Sequence, residues 1–153
     1  MTDAVNAVEN FRYTIRSGRS GCWTSACPAS PDLKPGSQQF HIVTLPKEGD
    51  LDSFCRTTRA KSEAQKTFLD QSGGLDDLIY YSCTPWFDLT GCTNERDFDK
   101  DDNIPRITWG KYVPADGRET LGMCLEVNHR FVDGWHLGQF YQHLQQAIDA
   151  LKI

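Results

Sequence analysis

Between Met123 and Leu151 the chain changes its apolar spacing, and the change centres on His129, Asp133 and Gly134 in the pattern H-x-x-x-D-G. Upstream, Met123-Cys124-Leu125-Glu126-Val127 is a short apolar, β-prone run. Downstream, Leu137, Phe140, Leu144, Ala147, Ile148 and Leu151 recur at helical spacing. A strand must therefore hand over to a helix across a tight connection that carries an imidazole and a carboxylate. A histidine at a strand end, facing a cleft, is where a general base would sit, because an imidazole takes and returns a proton near neutrality. Asp133 is suited to order the turn through local hydrogen bonds. Gly134 is expected to use backbone geometry denied to other residues. On residue type alone, an ordinary strand-end histidine before an ordinary Asp-Gly turn fits equally well.

Ser82 follows the apolar run Leu78-Ile79-Tyr80-Tyr81, where a hydroxyl serves either as an oxyanion donor or as a routine strand end. Thr108, between Ile107 and Trp109, is a good strand residue. Trp86 and Tyr112 read as core or interface aromatics, and Pro85 as the end of a ladder. Residues 4–10 read as the tail of a helix, and 11–15 as a strand. Residues 17–21 read as a turn, with Cys22-Trp23 opening a returning strand, and 28–36 as a Pro- and Ser-rich loop. Residues 39–45 alternate as a strand, and 51–71 read as a helix with Gly73-Gly74 beyond its end. Residues 107–112 and 121–128 are further strands, the second entered through a hairpin turn at 115–118. Strands interleaved with a few helices give an α/β fold.

The 153 residues are one domain by length and enough for a real core. Sixteen basic against twenty-one acidic residues, with no basic stripe, argue against nucleic acid. No apolar run is long enough to span a membrane. The acidic cluster at 97–102 reads as a solvated loop and lacks a metal-loop ligand pattern. Six cysteines without a C-x-x-C pair or a signal peptide read as reduced thiols of a cytoplasmic protein. Cys83 and Cys124 are expected to be small buried hydrophobes in strands.

Taken together, three segments resemble the chloramphenicol acetyltransferase family, and more distantly the catalytic domains of dihydrolipoamide acyltransferases. They are the His129 motif, Ser82-Cys83-Thr84-Pro85-Trp86 as S-x-x-P-W, and Ile107-Thr108-Trp109-Gly110-Lys111-Tyr112 as I-T-x-G-K-Y. They occur in the family's order, and His136 matches the family's aromatic-His after D-G. Asn128 stands where the family usually has the first of two histidines. The resemblance implies a two-layer sandwich, with helices packed on a large mixed β-sheet. It implies acetyl-CoA-dependent O-acetylation of chloramphenicol or a similar small hydroxylated molecule, with acetyl-CoA as co-substrate, no permanent cofactor and no covalent acyl-enzyme.

By the same resemblance His129 is the base, Ser82 an oxyanion donor, Thr108 the holder of a water and Asp133 the residue that fixes the local structure. Tyr112 and Trp86 border the coenzyme A channel. The family is trimeric, so His129 is expected to face a cleft formed with a neighbouring copy. The family also carries roughly another third of chain before the segment that Ala4 matches, including an arginine partner for the motif aspartate. Residues 1–153 are therefore expected to form one acetyltransferase-like domain without that segment. Arg130 and Arg16 are the candidates for the missing cation. A catalytically weak homologue that folds and oligomerises is the competing expectation.

Overall fold

A computed structural model describes residues 1–34, 36–70, 75–95 and 99–151. A short helix α1 (Thr2–Asn6) and a 3₁₀ turn (Glu9–Arg12) lead into the hairpin β1 (Tyr13–Arg16) and β2 (Arg19–Cys22). Then follow β3 (Cys27–Leu33), β4 (Phe40–Thr44), α2 (Leu51–Ala64), β5 (Leu78–Cys83), β6 (Arg106–Ala115), β7 (Arg118–Glu126) and α3 (Gly134–Asp149). Five strands form one mixed sheet in the order β4-β3-β5-β6-β7, with β3–β5 and β5–β6 parallel and both outer pairs antiparallel. This is the expected α/β arrangement of helices on a mixed sheet. No helix among the described residues is long and apolar enough to cross a membrane.

Side chains alternate across a strand, so the register decides which residues share a face. Tyr81, Ile107 and Leu125 are neighbours in one row, and Cys83, Trp109 and Met123 in the next. This face packs against Val5 of α1, Val8 and Phe11 beyond it, Val132, and Phe140 and Leu144 of α3. Buried apolar area of this kind is the main stabilising term, at about 25 cal/mol per Å². Two polar contacts fix how the N-terminal segment lies on it. Asn6 bonds Ala26 twice, donating to its carbonyl at 3.0 Å and accepting its N–H at 2.7 Å. Thr2 Oγ1 meets the buried Tyr81 hydroxyl at 3.1 Å.

Several elements differ from expectation. Residues 28–36 do not form a loop: Cys27–Leu33 is an inner strand. Its ladder with β5 covers Cys27–Ala29, and its ladder with β4 covers Ala29–Leu33. Pro28 and Pro31 thus stand where one neighbour is in register, which lets a strand tolerate a missing N–H. The first hairpin is tighter than expected. Ser17 (φ 51°) and Gly18 (φ 75°) make a two-residue turn, and β2 begins at Arg19. Helix α2 ends at Ala64 because Gln65 turns extended and donates its amide to the carbonyls of Ile42 and Thr67. Gly73-Gly74 lies outside the described residues. The turn at 115–118 is as expected, with Asp116 (φ 51°) and Gly117 (φ 75°).

The chain beyond β5 lies directly on the sheet. A Cβ at Gly110 would stand 2.7 Å from the Leu89 nitrogen, and one at Gly122 only 1.8 Å from the Leu89 carbonyl oxygen. Gly122→Ala is therefore expected to cost about 3 kcal/mol or more, lowering Tm by ~6–12 °C in a thermal melt. Gly138, inside α3 with open space around it, is the control: Gly138→Ala should stabilise by ~0.5–1 kcal/mol. A second test concerns Asp76, which joins the first hairpin to the start of β5. Its carboxylate accepts from Arg16 Nε at 2.8 and 2.9 Å and from Thr14 Oγ1 at 2.7 Å. The Arg16 guanidinium and then the Thr14 hydroxyl lower its pKa from 3.8 to about 2. A depressed carboxyl contributes stability that is full above 3.8 and is lost as pH falls through about 2. Denaturant melts across that window should show a flatter acid limb for Asp76→Asn.

Candidate active site

Strand β7 ends at Glu126, and residues 128–131 form the turn before α3. Asn128 organises that turn. Its carbonyl accepts the N–H groups of Phe131 and Val132, both at 3.1 Å, and its Oδ1 accepts that of Arg130 at 3.0 Å. Its Nδ2 donates to the carbonyls of Lys100 and Asp102, both at 3.0 Å. Phe131 stacks on Tyr13 at 5.6 Å, and Asn10 donates to the Phe131 carbonyl at 2.7 Å. Val132 is buried in the core. The turn is thus held by its neighbours, while His129 stands on its outer, exposed side.

Asp133 caps α3, accepting the N–H of Trp135 at 2.9 Å and of His136 at 3.3 Å. His136 Nδ1 reaches back to the Asp133 N–H at 3.2 Å, which completes a capping box. The His136 N–H, with that of Trp135, holds the Asp133 carboxyl below its ordinary range. The structural role expected of Asp133 is therefore met by a helix N-terminus. Neither candidate cation serves it: Arg16 pairs with Asp76, and Arg130 with Asp101 at 2.5 Å. The aspartate is exposed and capped, so it needs no buried partner charge. Gly134 differs from expectation too. It is absent from the positive-φ residues and begins α3 as an ordinary helical residue with open space where a Cβ would lie.

Ser82 and Thr108 are register partners on β5 and β6, and Cys124 is the partner of Thr108 on β7. Alternation places this row on the sheet face away from α1 and α3. Thr108 is 5% exposed and donates its hydroxyl to Asn94 Oδ1 at 3.3 Å. Cys124 donates its thiol to the Cys92 carbonyl at 3.1 Å, and burial raises the pKa of the Cys92 thiol. Cys83 is exposed at the end of β5, not buried, although partial desolvation still raises its pKa. Beside Ser82 opens an apolar depression of about 360 Å³, lined by Ala29, Pro31, Phe40, Ile42 and Tyr80. The acidic segment is more engaged than a solvated loop. Asp102 pairs with Arg106 at 2.7 Å, while Asp97 lies outside the described residues.

Trp86 and Tyr112 are not core aromatics, being 75% and 67% exposed. They flank one hydrogen bond, from the Lys111 N–H to the Phe87 carbonyl at 3.0 Å. The expected site residues therefore fall into two groups. Ser82 and Thr108 stand side by side, with the depression next to them. His129, Asp133 and His136 share one turn. His129 lies five residues beyond Cys124 along the chain, past the end of β7 and in the turn that follows it. Sequence reading missed Asn94, Glu126 and the β3 wall of the depression. Asn94 sits in a polar loop without a local signal. Glu126, a lone charge inside an apolar strand run, carried a readable one.

The family model for chloramphenicol acetyltransferase matches residues 1–145. The chain is 26% identical over 152 residues to the chloramphenicol acetyltransferase of Streptomyces acrimycini, covering 97% of this chain and 69% of that protein. A solved chloramphenicol acetyltransferase superposes with a TM-score of 0.82 at 26% identity, over 95% of this chain and 72% of that one. A probable dihydrolipoamide acetyltransferase from Listeria monocytogenes shares the fold, with a TM-score of 0.65 at 13% identity over 97% and 66% of the two chains.

The cap geometry is testable apart from catalysis. Asp133→Ala removes the acceptor for two helix N–H groups and should lower Tm, whereas Asp133→Asn keeps an acceptor oxygen and should stay near the parent. Equal Tm losses in the two variants would show that charge, rather than capping, is what the site uses.

Proposed function

Because the chain belongs to the chloramphenicol acetyltransferase family, a family of acyltransferases, we propose that it moves the acetyl group of acetyl-CoA onto a hydroxyl of chloramphenicol or a similar small molecule. The observation that carries this reading is the Ser82–Thr108 row beside an apolar depression, on the sheet face that the helices leave open. An apolar recess with a few convergent polar groups suits a small aromatic acceptor with one hydroxyl to be placed.

In this reading His129 takes the proton of the acceptor hydroxyl as the oxygen attacks the thioester carbonyl. The carbonyl oxygen becomes an oxyanion and accepts a hydrogen bond from Ser82, with a water on Thr108 as second donor. The intermediate collapses by breaking the C–S bond, and protonated His129 returns its proton to the thiolate. The acetyl ester and the coenzyme A thiol leave, with no acyl-enzyme on the path. Trp86, in the turn after β5, and Tyr112, on β6, are exposed and offer aromatic faces to the coenzyme. His129 belongs to the turn after β7 and Ser82 to the β5–β6 row, and in this reading, as in the trimeric family, each site is completed between copies. The His129 turn of one copy faces the Ser82 row of the next, in a homotrimer. A cell making this protein would gain resistance to the drug.

The same separation favours one rival reading, a homologue that folds and associates without turnover. Chromatographic detection of acetylated chloramphenicol, made from acetyl-CoA by the parent, His129→Ala and Ser82→Ala, decides between them. The acetyltransferase reading expects His129→Ala to lose roughly 10²–10⁴-fold in kcat and Ser82→Ala roughly 10²–10³-fold. Light scattering should find active protein as a trimer. A folded parent without turnover, or turnover untouched by His129→Ala, would overturn the proposal.

A further inference from the structure

Thr108 does not stand alone behind the reacting centre. Its hydroxyl donates to Asn94 Oδ1 at 3.3 Å. Asn94 in turn gives its backbone N–H, at 2.9 Å, and its side-chain amide to one and the same oxygen, Oε2 of Glu126. Glu126 is register partner of Arg106, one step along the open face from the Ser82–Thr108–Cys124 row. Three residues from two strands and a loop thus form a single chain of hydrogen bonds that ends at the site.

The order of donors and acceptors along this chain is forced. Glu126 Oε2 already accepts a backbone N–H, so it is an acceptor, and the side-chain group that faces it must be the Asn94 NH₂. That orientation turns the Asn94 carbonyl oxygen toward Thr108. A threonine hydroxyl has one proton, and here it goes to Asn94. The Thr108 hydroxyl also meets the Cys92 thiol, and what it can then offer a bound water is an oxygen lone pair. A water bound there must donate one proton to Thr108. Its other proton is free to point at the developing oxyanion.

We propose that Asn94 and Glu126 are positioning residues that set the hydrogen-bond polarity of Thr108, so that the water it holds acts as a donor to the oxyanion. This rests on the acetyl-transfer reading above. A carboxylate drawing on the Asn94 amide also strengthens the carbonyl as an acceptor, because hydrogen bonds in a chain polarise one another. The effect belongs to the transition state, where the negative charge exists, rather than to substrate binding.

The test removes the amide donor and the carboxylate charge in separate variants. Asn94→Asp sets a carboxylate against Glu126 and removes the NH₂ donor. Glu126→Gln keeps a side-chain oxygen that can accept both Asn94 N–H groups and removes only the charge. With chloramphenicol and acetyl-CoA, Asn94→Asp should lose about 10–100-fold in kcat, with both KM values within about twofold. Glu126→Gln should stay within about threefold of the parent. In a Thr108→Val background the Asn94→Asp loss should vanish, because the residue acts through that hydroxyl. A thermal melt of each variant confirms that it is folded. A folded Asn94→Asp with parental kcat, a Glu126→Gln as impaired as Asn94→Asp, or a loss that persists with Thr108→Val overturns this proposal alone, provided the parent is active and His129→Ala is not. An inactive parent overturns the acetyl-transfer reading, and this one with it.

Discussion

Strand β6 is hydrogen-bonded on both sides, parallel to β5 and antiparallel to β7, and its two registers decide which side chains meet. Because successive residues point to opposite faces, the ladder that carries Ile107 into the core must carry Thr108 to the face away from the helices, under Asn94. A slip of one residue would bury the hydroxyl among Phe11 and Phe140 and put Ile107 beside Ser82. The site and the core are therefore specified by the same hydrogen bonds. That is why the ladder alone brings Ser82, Thr108 and Cys124 side by side, with Asn94 left to orient the Thr108 hydroxyl.

The turn after β7 works by a different means. There the backbone is fixed by side chains, with Asn128 gathering five hydrogen bonds and Asp133 satisfying the first N–H groups of α3. The imidazole between them makes no such commitment and stands at the surface. Asn128 thus has a positive reason to be where the family's first histidine usually lies: an imidazole could not accept at one atom and donate twice at another as this amide does.

Local patterns made much of this legible. The helix α3 and its cap, the turn at Asp116-Gly117, and the strands around Ile79 and Ile107 all rest on short-range spacing or turn chemistry, and each is found in place. Strand β3 was hidden because its residues are individually poor strand formers. Its identity comes from β4 and β5, which lie far along the chain. The end of α2 was misplaced because the stop is a tertiary one, with Gln65 captured by the β4 carbonyl of Ile42. In the site, motif spacing led to Ser82, Thr108, His129 and Asp133. It did not show that these fall into two separate groups, which is a property of the ladder. Asn94 was invisible because its partners, Thr108 and Glu126, become neighbours only once the sheet is formed.

The seat of Leu89 on Gly110 and Gly122 bears on how such a chain can drift. What blocks a side chain at Gly122 is the Leu89 carbonyl group, and at Gly110 the Leu89 nitrogen and the Phe87 carbonyl oxygen, with the Leu89 Cβ, an atom every residue but glycine carries, beside them. A clash with a side chain can be relieved by a second change elsewhere, but one with a main-chain atom cannot, since every amino acid brings the same atoms. The two positions are therefore cut off from compensation. Among descendants of this chain, residue 89 is free to vary with its apolar surroundings, while 110 and 122 stay glycine whatever stands at 89, two fixed columns with no covarying partner.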